Sequence, residues 1–580
     1  MEGYEKVKQQ LAGALGALLQ DTELAHSVVE GRQDGLDALK GCPPVAVVSF
    51  DVDRIKDFVF ASASPLEIQG ASAMVKELEE DGKILNSSLR DLGLDAGSVV
   101  FAGGGNGLLI VPADAADELA QELRRRFRET TGVGTCSVVW HVFRPEELIT
   151  GPAAPASLRE VTAQGGLKQV PGAGFGAVLA FMADLMREAK EERADILLPP
   201  LPGYLRRCDS CGREVATEED RVRPAAARDR LCGHCLRKRQ RGRQERQALE
   251  GQGLETALTV EEIAGGEEGA YYAVVYADGN GVGQALFQLP GLMDCAIFAR
   301  ALRRVLDTFV QELVTKHGLK GRYQAPVLGG DDLVLLVPAR RAAAVVRDIL
   351  QGLPHRLKEE GDRIRREAGS ALKGVTFSAG FVIVRKGFPM RFALDYAEAL
   401  LLSAKRAPYT GRNPYTGRDH DTQQAFHNNQ GAFVDWMVVK DASPLTTSVE
   451  VLRQTVLRRE GSLAVLPLRL TAKPVTAQEL ERLLADVGAL RETVSRHQLH
   501  EVEQLLLTEA LRAIPLQLRY QFVRLDSWRR FFAKRYPGEM LASAVEKWLQ
   551  TGAFKLEKAA PAPFYQTNLL DLIELYEFTE

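Results

Sequence analysis

The 580-residue chain is 45% hydrophobic, enough apolar material for roughly three to five packed domains. Its formal net charge of −4 and pI near 6.2 exclude a protein that coats nucleic acid over its whole surface, so any such contact is a local patch. The opening Met1-Glu2-Gly3-Tyr4-Glu5 has no basic segment followed by an apolar run, and no apolar stretch approaches about eighteen residues. Neither a signal peptide nor a membrane span is expected.

In chain order, 1–44 reads as a helical segment whose single histidine is His26. A first α+β unit, 45–195, opens on an apolar run ending in an acid, Ala46-Val47-Val48-Ser49-Phe50-Asp51-Val52. A helical period over 71–85 follows, then a glycine-rich hairpin, Gly103-Gly104-Gly105-Asn106, feeding an apolar strand to Pro112. A helix over 114–128 and a strand over 135–143 complete the unit. An insert spans 196–265, and the pattern then returns over 266–440. Ala273-Val274-Val275-Tyr276-Ala277-Asp278-Gly279 repeats the first strand, followed by a helix over 297–314. The hairpin Gly329-Gly330-Asp331-Asp332 leads into a strand to Pro338, a helix over 339–357, a strand over 375–384 and a helix over 391–406. From 441 to 580 the periodicity is helical. Thr476 to Glu479 is a capping box opening a helix to about 496, with further helical segments over 505–514 and 541–549. Trp528 and Trp548 are expected in that core.

Ala46 and Ala273 lie 227 residues apart, and Gly103 and Gly329 lie 226 apart. Two independent landmarks sharing nearly one offset mark an internal duplication. Strand, two helices, strand, hairpin strand, helix, strand is the order of a ferredoxin-like palm, an antiparallel sheet with helices on one face. The expected class is α+β: two nucleotide-cyclase-like palms, a zinc ribbon between them and a C-terminal helical bundle.

The second hairpin has the residues for nucleotidyl transfer. Magnesium or manganese takes oxygen ligands, and Asp331 and Asp332 at a hairpin tip, with Asp278 ending the adjacent strand, converge three carboxylates. Gly329 and Gly330 let backbone approach a nucleotide, and Gly279-Asn280-Gly281 makes a small-residue turn whose N–H groups can hold phosphate. Lys405, late in its helix, either faces the triphosphate or is a solvated helix-terminal lysine. In the first copy Gly105 and Asn106 stand where the acids would be. That leaves Gly103 and Gly104 in a palm that is structural or nucleotide-holding, with Asp51 and Asp53 too few to make a magnesium site.

Of seven cysteines, Cys42, Cys136 and Cys295 are scattered and expected as buried small apolar residues. Cys208, Cys211, Cys232 and Cys235 form two C-x2-C knuckles twenty residues apart, the pattern of a structural zinc site in a reducing, cytoplasmic compartment. His234 inside the second knuckle is a bystander. The flanking Arg206, Arg207, Arg237, Lys238, Arg239, Arg241, Arg243 and Arg246 suit either an RNA backbone or one solvated helix face.

These motifs together resemble the Cas-ten family, the large subunit of type III CRISPR interference complexes. The resemblance runs over roughly 45–440. It rests on the stretch from Phe50 to Phe60, on Glu67-Ile68-Gln69-Gly70-Ala71-Ser72, and on the Asn106 hairpin. The cysteine tetrad, Gly329 to Asp332, Ser378-Ala379-Gly380 and Ser403-Ala404-Lys405-Arg406 follow in that family's order. It implies a synthase converting ATP into cyclic oligoadenylate by metal-dependent 3′–5′ transfer in antiviral defence. Asp278, Asp331 and Asp332 would be metal ligands and Ser378 would line the nucleotide site. Partner subunits, guide RNA and target RNA are implied, with no membrane. Many members begin with a histidine–aspartate nuclease domain. Here His26 stands alone before the first palm and His420-Asp421 is a polar-loop dipeptide, so nuclease activity is not expected. Members often carry a second acid where this chain has Asn280. A free-standing nucleotide cyclase or cyclic-dinucleotide synthase, or a non-catalytic nucleotide-binding scaffold, remain the alternatives.

Overall fold

The structure is a computed structural model describing residues 9, 13, 42–62, 64–149, 158, 174–191, 203, 205–222, 229–251, 255–257, 259–265, 270–364, 366–406, 432–440, 448–461, 466–557 and 564–579. Most of the segment 1–44, with His26, and the dipeptide His420-Asp421 lie outside the described residues. Among those described, no helix is long and apolar enough to cross a membrane.

The first unit contains β1 (Val45–Val52), α1 (Ile55–Val59), α2 (Pro65–Lys76), α3 (Lys83–Asp91), β2 (Val99–Gly103), β3 (Asn106–Pro112), α4 (Ala116–Thr131), β4 (Cys136–Phe143) and α5 (Phe175–Glu191). Its sheet is antiparallel in the order β2-β3-β1-β4. The single helix expected over 71–85 is two. The chain leaves α2 after Lys76, and the carbonyl of Glu77 accepts the N–H groups of Ile84 and Leu85 at 2.9 and 3.2 Å as α3 begins. Gly82 permits this reversal, because a Cβ there would lie 2.3 Å from the Glu77 carbonyl oxygen. A period of 3.6 runs smoothly through such a corner, so the sequence does not show it.

After the insert, with β5 (Glu218–Glu219), β6 (Arg230–Leu231) and α6 (Gly233–Gly251), the second unit repeats the plan. It comprises β7 (Tyr271–Asn280), α7 (Val282–Phe287), α8 (Leu292–Lys316), β8 (Gln324–Gly329), β9 (Asp332–Pro338), α9 (Ala339–Arg363), β10 (Thr376–Arg385) and α10 (Met390–Arg406). Its sheet grows to six strands by adding β11 (Phe433–Val439), parallel to β10, and β14 (Val475–Thr476).

Helices cover both faces of each sheet, not one as expected. On β7, Ala273, Val275 and Ala277 pack with Phe298 and Leu302 of α8 and Val346 of α9. Tyr272, Val274 and Tyr276 pack with Ala393, Ala397 and Leu400 of α10. On β1, Val45 and Val47 join a core with Val178 and Phe181 of α5, while Ala46 and Val48 face Leu119 and Leu123 of α4. Strands buried on both faces read as unbroken apolar runs, which is the character of both acid-ended strands. Gly380 of β10 admits α10 closely; a Cβ there would meet the Leu401 nitrogen at 2.2 Å.

The C-terminal region holds α11 (Val449–Thr455), β12 (Arg458–Arg459), β13 (Leu468–Arg469), α12 (Ala477–Thr493), α13 (Arg496–Thr508), α14 (Ile514–Arg524), α15 (Asp526–Arg535), α16 (Leu541–Trp548), β15 (Lys555–Glu557), β16 (Phe564–Gln566) and α17 (Leu569–Phe578). The capping box at Thr476 and Glu479 forms as read, and Trp528 and Trp548 are buried. The segment 505–514 straddles a break between α13 and α14. A small sheet, β12-β13-β16-β15, also joins residues a hundred positions apart, beyond the reach of local pattern.

Candidate functional site at the palm–palm seam

On the second sheet, Asp278 of β7 lies directly opposite Asp332 of β9 and Ser378 of β10. Residues opposed across strands share a face, so two carboxylates and a hydroxyl stand together on the α10 side. Asp331 is at the hairpin tip, where Gly330 takes φ +64° and the Asp331 carbonyl accepts the Gly279 N–H at 3.2 Å. Gly279 is required by close approach, since a Cβ would come within 2.9 Å of the Asp331 Cβ. Gly281, at φ +68°, turns the chain into the short α7. The Asn280 amide donates to Thr376 Oγ1 at 3.0 Å, tying the turn to β10.

Crowding sets the electrostatics. Burial, reinforced by the neighbouring Asp332 charge, pushes Asp331 up to about 6. Burial also raises Asp332, opposed by the Lys56 ammonium and a hydrogen bond from Tyr276. Lys405 lies against the Asp278 carboxylate and donates to the Gly279 carbonyl at 3.0 Å. It is therefore neither solvated nor free for a phosphate in this state. Burial and the nearby Lys56 pull its pKa down to about 8. The Ser378 hydroxyl is fully buried and has no hydrogen-bond partner among the described residues, so it is a donor held ready beside Asp278.

Sequence reasoning missed the cation that arrives from the other palm. Lys56, on α1 of the first unit, bonds Glu398 of α10 at 2.7 Å and sits 4.7 Å over the Tyr276 ring. Local pattern holds no signal for it, because its partners lie more than two hundred positions away.

The two glycine-rich hairpins meet backbone to backbone. A Cβ on Gly329 would lie 2.2 Å from the Gly104 Cα, and one on Gly104 (φ +64°) 2.6 Å from the Gly329 carbonyl carbon. Gly103 lies under Arg303 of α8, whose guanidinium donates to the Ala102 carbonyl at 2.7 Å and also pairs with Glu79. The glycines thus serve contact between palms as well as turn geometry. The first palm's own acids are occupied: Asp51 pairs with Lys190 at 2.5 Å, and Asp53 accepts from Ser137 at 2.6 Å.

In the insert, the Sγ atoms of Cys208, Cys211, Cys232 and Cys235 all lie within 4.8 Å of one another, a cluster able to hold a metal ion. Among the described residues no other group of three or more candidate ligands draws together so tightly. The basic run that follows is turned inward. Arg239 reaches the fully buried Glu67 at 2.6 Å and Asp229 at 2.6 Å, Arg243 reaches Asp220 at 2.6 Å, and Arg241 reaches Glu77 at 2.9 Å. Lys238 is buried over the Phe58 ring at 4.0 Å. Gly70 of α2 and Gly242 of α6 let the two helices cross so closely that a Cβ on Gly70 would fall 1.8 Å from the Lys238 carbonyl oxygen. Lys238, Arg239 and Arg241 fasten the insert to the first unit, and Arg243 braces the insert internally. His234 lies beside Gly132, and Cys136 and Cys295 are buried as expected while Cys42 is half-exposed.

The hairpin carboxylate pair thus lies where the second sheet meets the first. Residues 271–416 match the sequence model of the Cas10/Cmr2 family's second palm domain, and the family resemblance read from the motifs is borne out. The fold is similar to a Csm1–Csm4 cassette in complex with pppApA (13% identity, 96% of this chain and 74% of that one, TM-score 0.48). It is similar to a Csm1–Csm4 cassette in complex with cA4 (13%, 96% and 74%, TM-score 0.46) and to Csm1 in T. onnurineus (15%, 92% and 69%, TM-score 0.44). No curated protein matches the chain in sequence.

Proposed function

We propose that this chain is the large subunit of a type III CRISPR effector and makes cyclic oligoadenylate from ATP in its second palm. The observation that carries the reading is the opposition of Asp278 to Asp332, with Asp331 at the adjoining tip, inside the segment that matches the Cas10/Cmr2 second palm. Crowded carboxylates with raised pKa values fit a hard divalent cation, magnesium or manganese, and four clustered thiols fit structural zinc. A bound divalent cation supplies charge to the leaving pyrophosphate and acidity to the attacking 3′-hydroxyl. Asp278, Asp331 and Asp332 would hold it. Gly281 and Gly330, where an added Cβ would stand in open space, keep side chains out of the nucleotide's path, Gly279 and Gly329 let the tip and the hairpins pack closely beside it, and Ser378 donates from the sheet. Lys405 moves from Asp278 to the triphosphate when both ligands enter, exchanging one anion for another. The first palm, through Gly103, Gly104 and Lys56, completes the seam without carboxylates of its own. The partners are other type III subunits with guide and target RNA.

The test is incubation with ATP and Mg2+ or Mn2+, with and without those partners, followed by chromatography and nuclease mapping of product. The expected result is 3′–5′ linked adenylate that depends on the complex. Full-rate synthesis by the isolated chain without RNA would instead identify a free-standing synthase. ATP binding with no product under any condition would identify a scaffold.

Metal affinity should also depend on pH. Asp331 titrates near 6 when folded against 3.8 for an ordinary carboxyl, so the empty fold holds an extra proton between those values. Its stability therefore falls as pH rises through about 6, and the cation must displace that proton below it. Mn2+ affinity is expected to rise by up to about tenfold per pH unit below pH ~6 and then level off. Calorimetry in buffers of different ionisation enthalpy would count the released proton; a flat profile from pH 5 to 7 would refute the coupling.

A further inference from the structure

At the opposite end of the second sheet lies a cleft of about 950 Å³ between the palm and the C-terminal helices. Tyr271 begins β7 there, Pro338 ends β9, and Arg385 ends β10. It is some seven residues, or roughly 23 Å, from Asp278 along the strand. Arg322, Arg340, Arg341, Arg385, Lys440 and Arg496 line it, and Glu577 is the one carboxylate among its described lining residues. Glu577 is shared by Lys440 at 2.9 Å and Arg496 at 3.0 Å, which leaves the cleft strongly cationic in a protein whose net charge is −4.

The placement of these cations is costly to the fold itself. Arg340 and Arg341 occupy the first turn of α9, and Arg496 is the first residue of α13. Neither first turn contains an acid, and α9 has no side-chain cap. Helix N-termini carry partial positive charge, so arginine there is unfavourable unless an anion answers it, as Glu577 does for Arg496. Two helices aim that charge into one cleft. The aromatic faces are already covered: the Tyr271 ring meets Phe578 edge-on at 4.9 Å and has Arg385 at 5.7 Å, and Arg491 lies 5.4 Å over Tyr576. The site can grip phosphates, and its described lining residues offer no open ring on which to stack a base.

We propose that this cleft binds the sugar–phosphate backbone of single-stranded RNA, without regard to sequence. The cations lining this cleft outnumber the charges of one nucleoside triphosphate and match several consecutive phosphodiesters. The inference names a surface for the RNA partner of the functional reading above, yet it rests on charge placement and not on adenylate synthesis. Strands β7 and β9 run from the cleft to Asp278 and Asp332 at the other end of the sheet.

The test is fluorescence anisotropy of the full chain with labelled 20-nucleotide A-, C- and U-rich RNAs over a salt series. The expected result is similar affinity for all three and a steep salt dependence. Arg340→Gln with Arg496→Gln should weaken binding about tenfold and reduce the log–log salt slope by about 1.4, the share of two phosphate contacts to a single strand. The same variant should still fold cooperatively, since Lys440 continues to pair with Glu577 and Arg340 leaves a helix N-terminus. Asp331→Ala with Asp332→Ala should bind RNA normally, which separates failure of this inference from failure of the catalytic reading. Unchanged affinity and slope in the arginine variant would overturn the proposal. So would displacement of RNA by equimolar tripolyphosphate, which would mark a pocket for a small polyphosphate.

Discussion

Replacing Asp331 and Asp332 together by alanine is expected to lower the rate of ATP conversion by at least about a thousandfold, leaving no detectable oligoadenylate. The magnitude follows from what the two side chains are asked to do. In the proposed reaction they would hold the cation that neutralises a leaving pyrophosphate, and losing about 4 kcal/mol of transition-state stabilisation is a thousandfold. The loss should come without unfolding. Both carboxyls have raised pKa values because burial disfavours their charge, so deleting them relieves a cost carried by the empty protein. The double variant should therefore melt at or above the wild-type temperature while losing Mn2+ binding. Retained product would remove these residues from the reaction. A fall in melting temperature with activity would show a structural pair instead.

The second large effect is on stability. Arg453→Met is expected to destabilise the protein by about 3–5 kcal/mol, because it leaves Asp435 charged and unpaired in the sheet. Asp435 of β11 is fully buried and pairs with Arg453 of α11, which is itself 5% exposed and also donates to Ser403 Oγ at 3.2 Å. One guanidinium thus joins β11, α10 and α11. Converting both partners, Arg453→Met with Asp435→Leu, should recover most of the loss, since two apolar groups need no mutual compensation. Thermal and urea unfolding of the single and paired variants would measure this. A single variant within about 0.5 kcal/mol of wild type would show that Asp435 does not depend on Arg453.

Local chemistry legible in the chain settled the repeat, the strands and the acids. Strands buried on both faces appear as Ala-Val-Val runs, and hairpins need Gly329 and Gly330. The carboxylate pair stands out because its copy carries Gly105 and Asn106. Four cysteines in two C-x2-C knuckles likewise announce their cluster. The corner at Gly82 and the break after Thr508 were not legible, because helical period continues across both.

Tertiary structure alone decided what each feature is used for. Gly104 and Gly329 read as turn residues and proved to be the contact between palms. Arg239, Arg241 and Arg243 read as an RNA-facing or solvated stripe, and their partners Glu67, Glu77 and Asp220 turned them inward. Lys405 faces Asp278, and Lys56 crosses from one unit into the other's site. The reason is physical: periodicity, turns and ligand spacing are set within a few residues, whereas the partner of a charge is whatever long-range packing brings within about 4 Å.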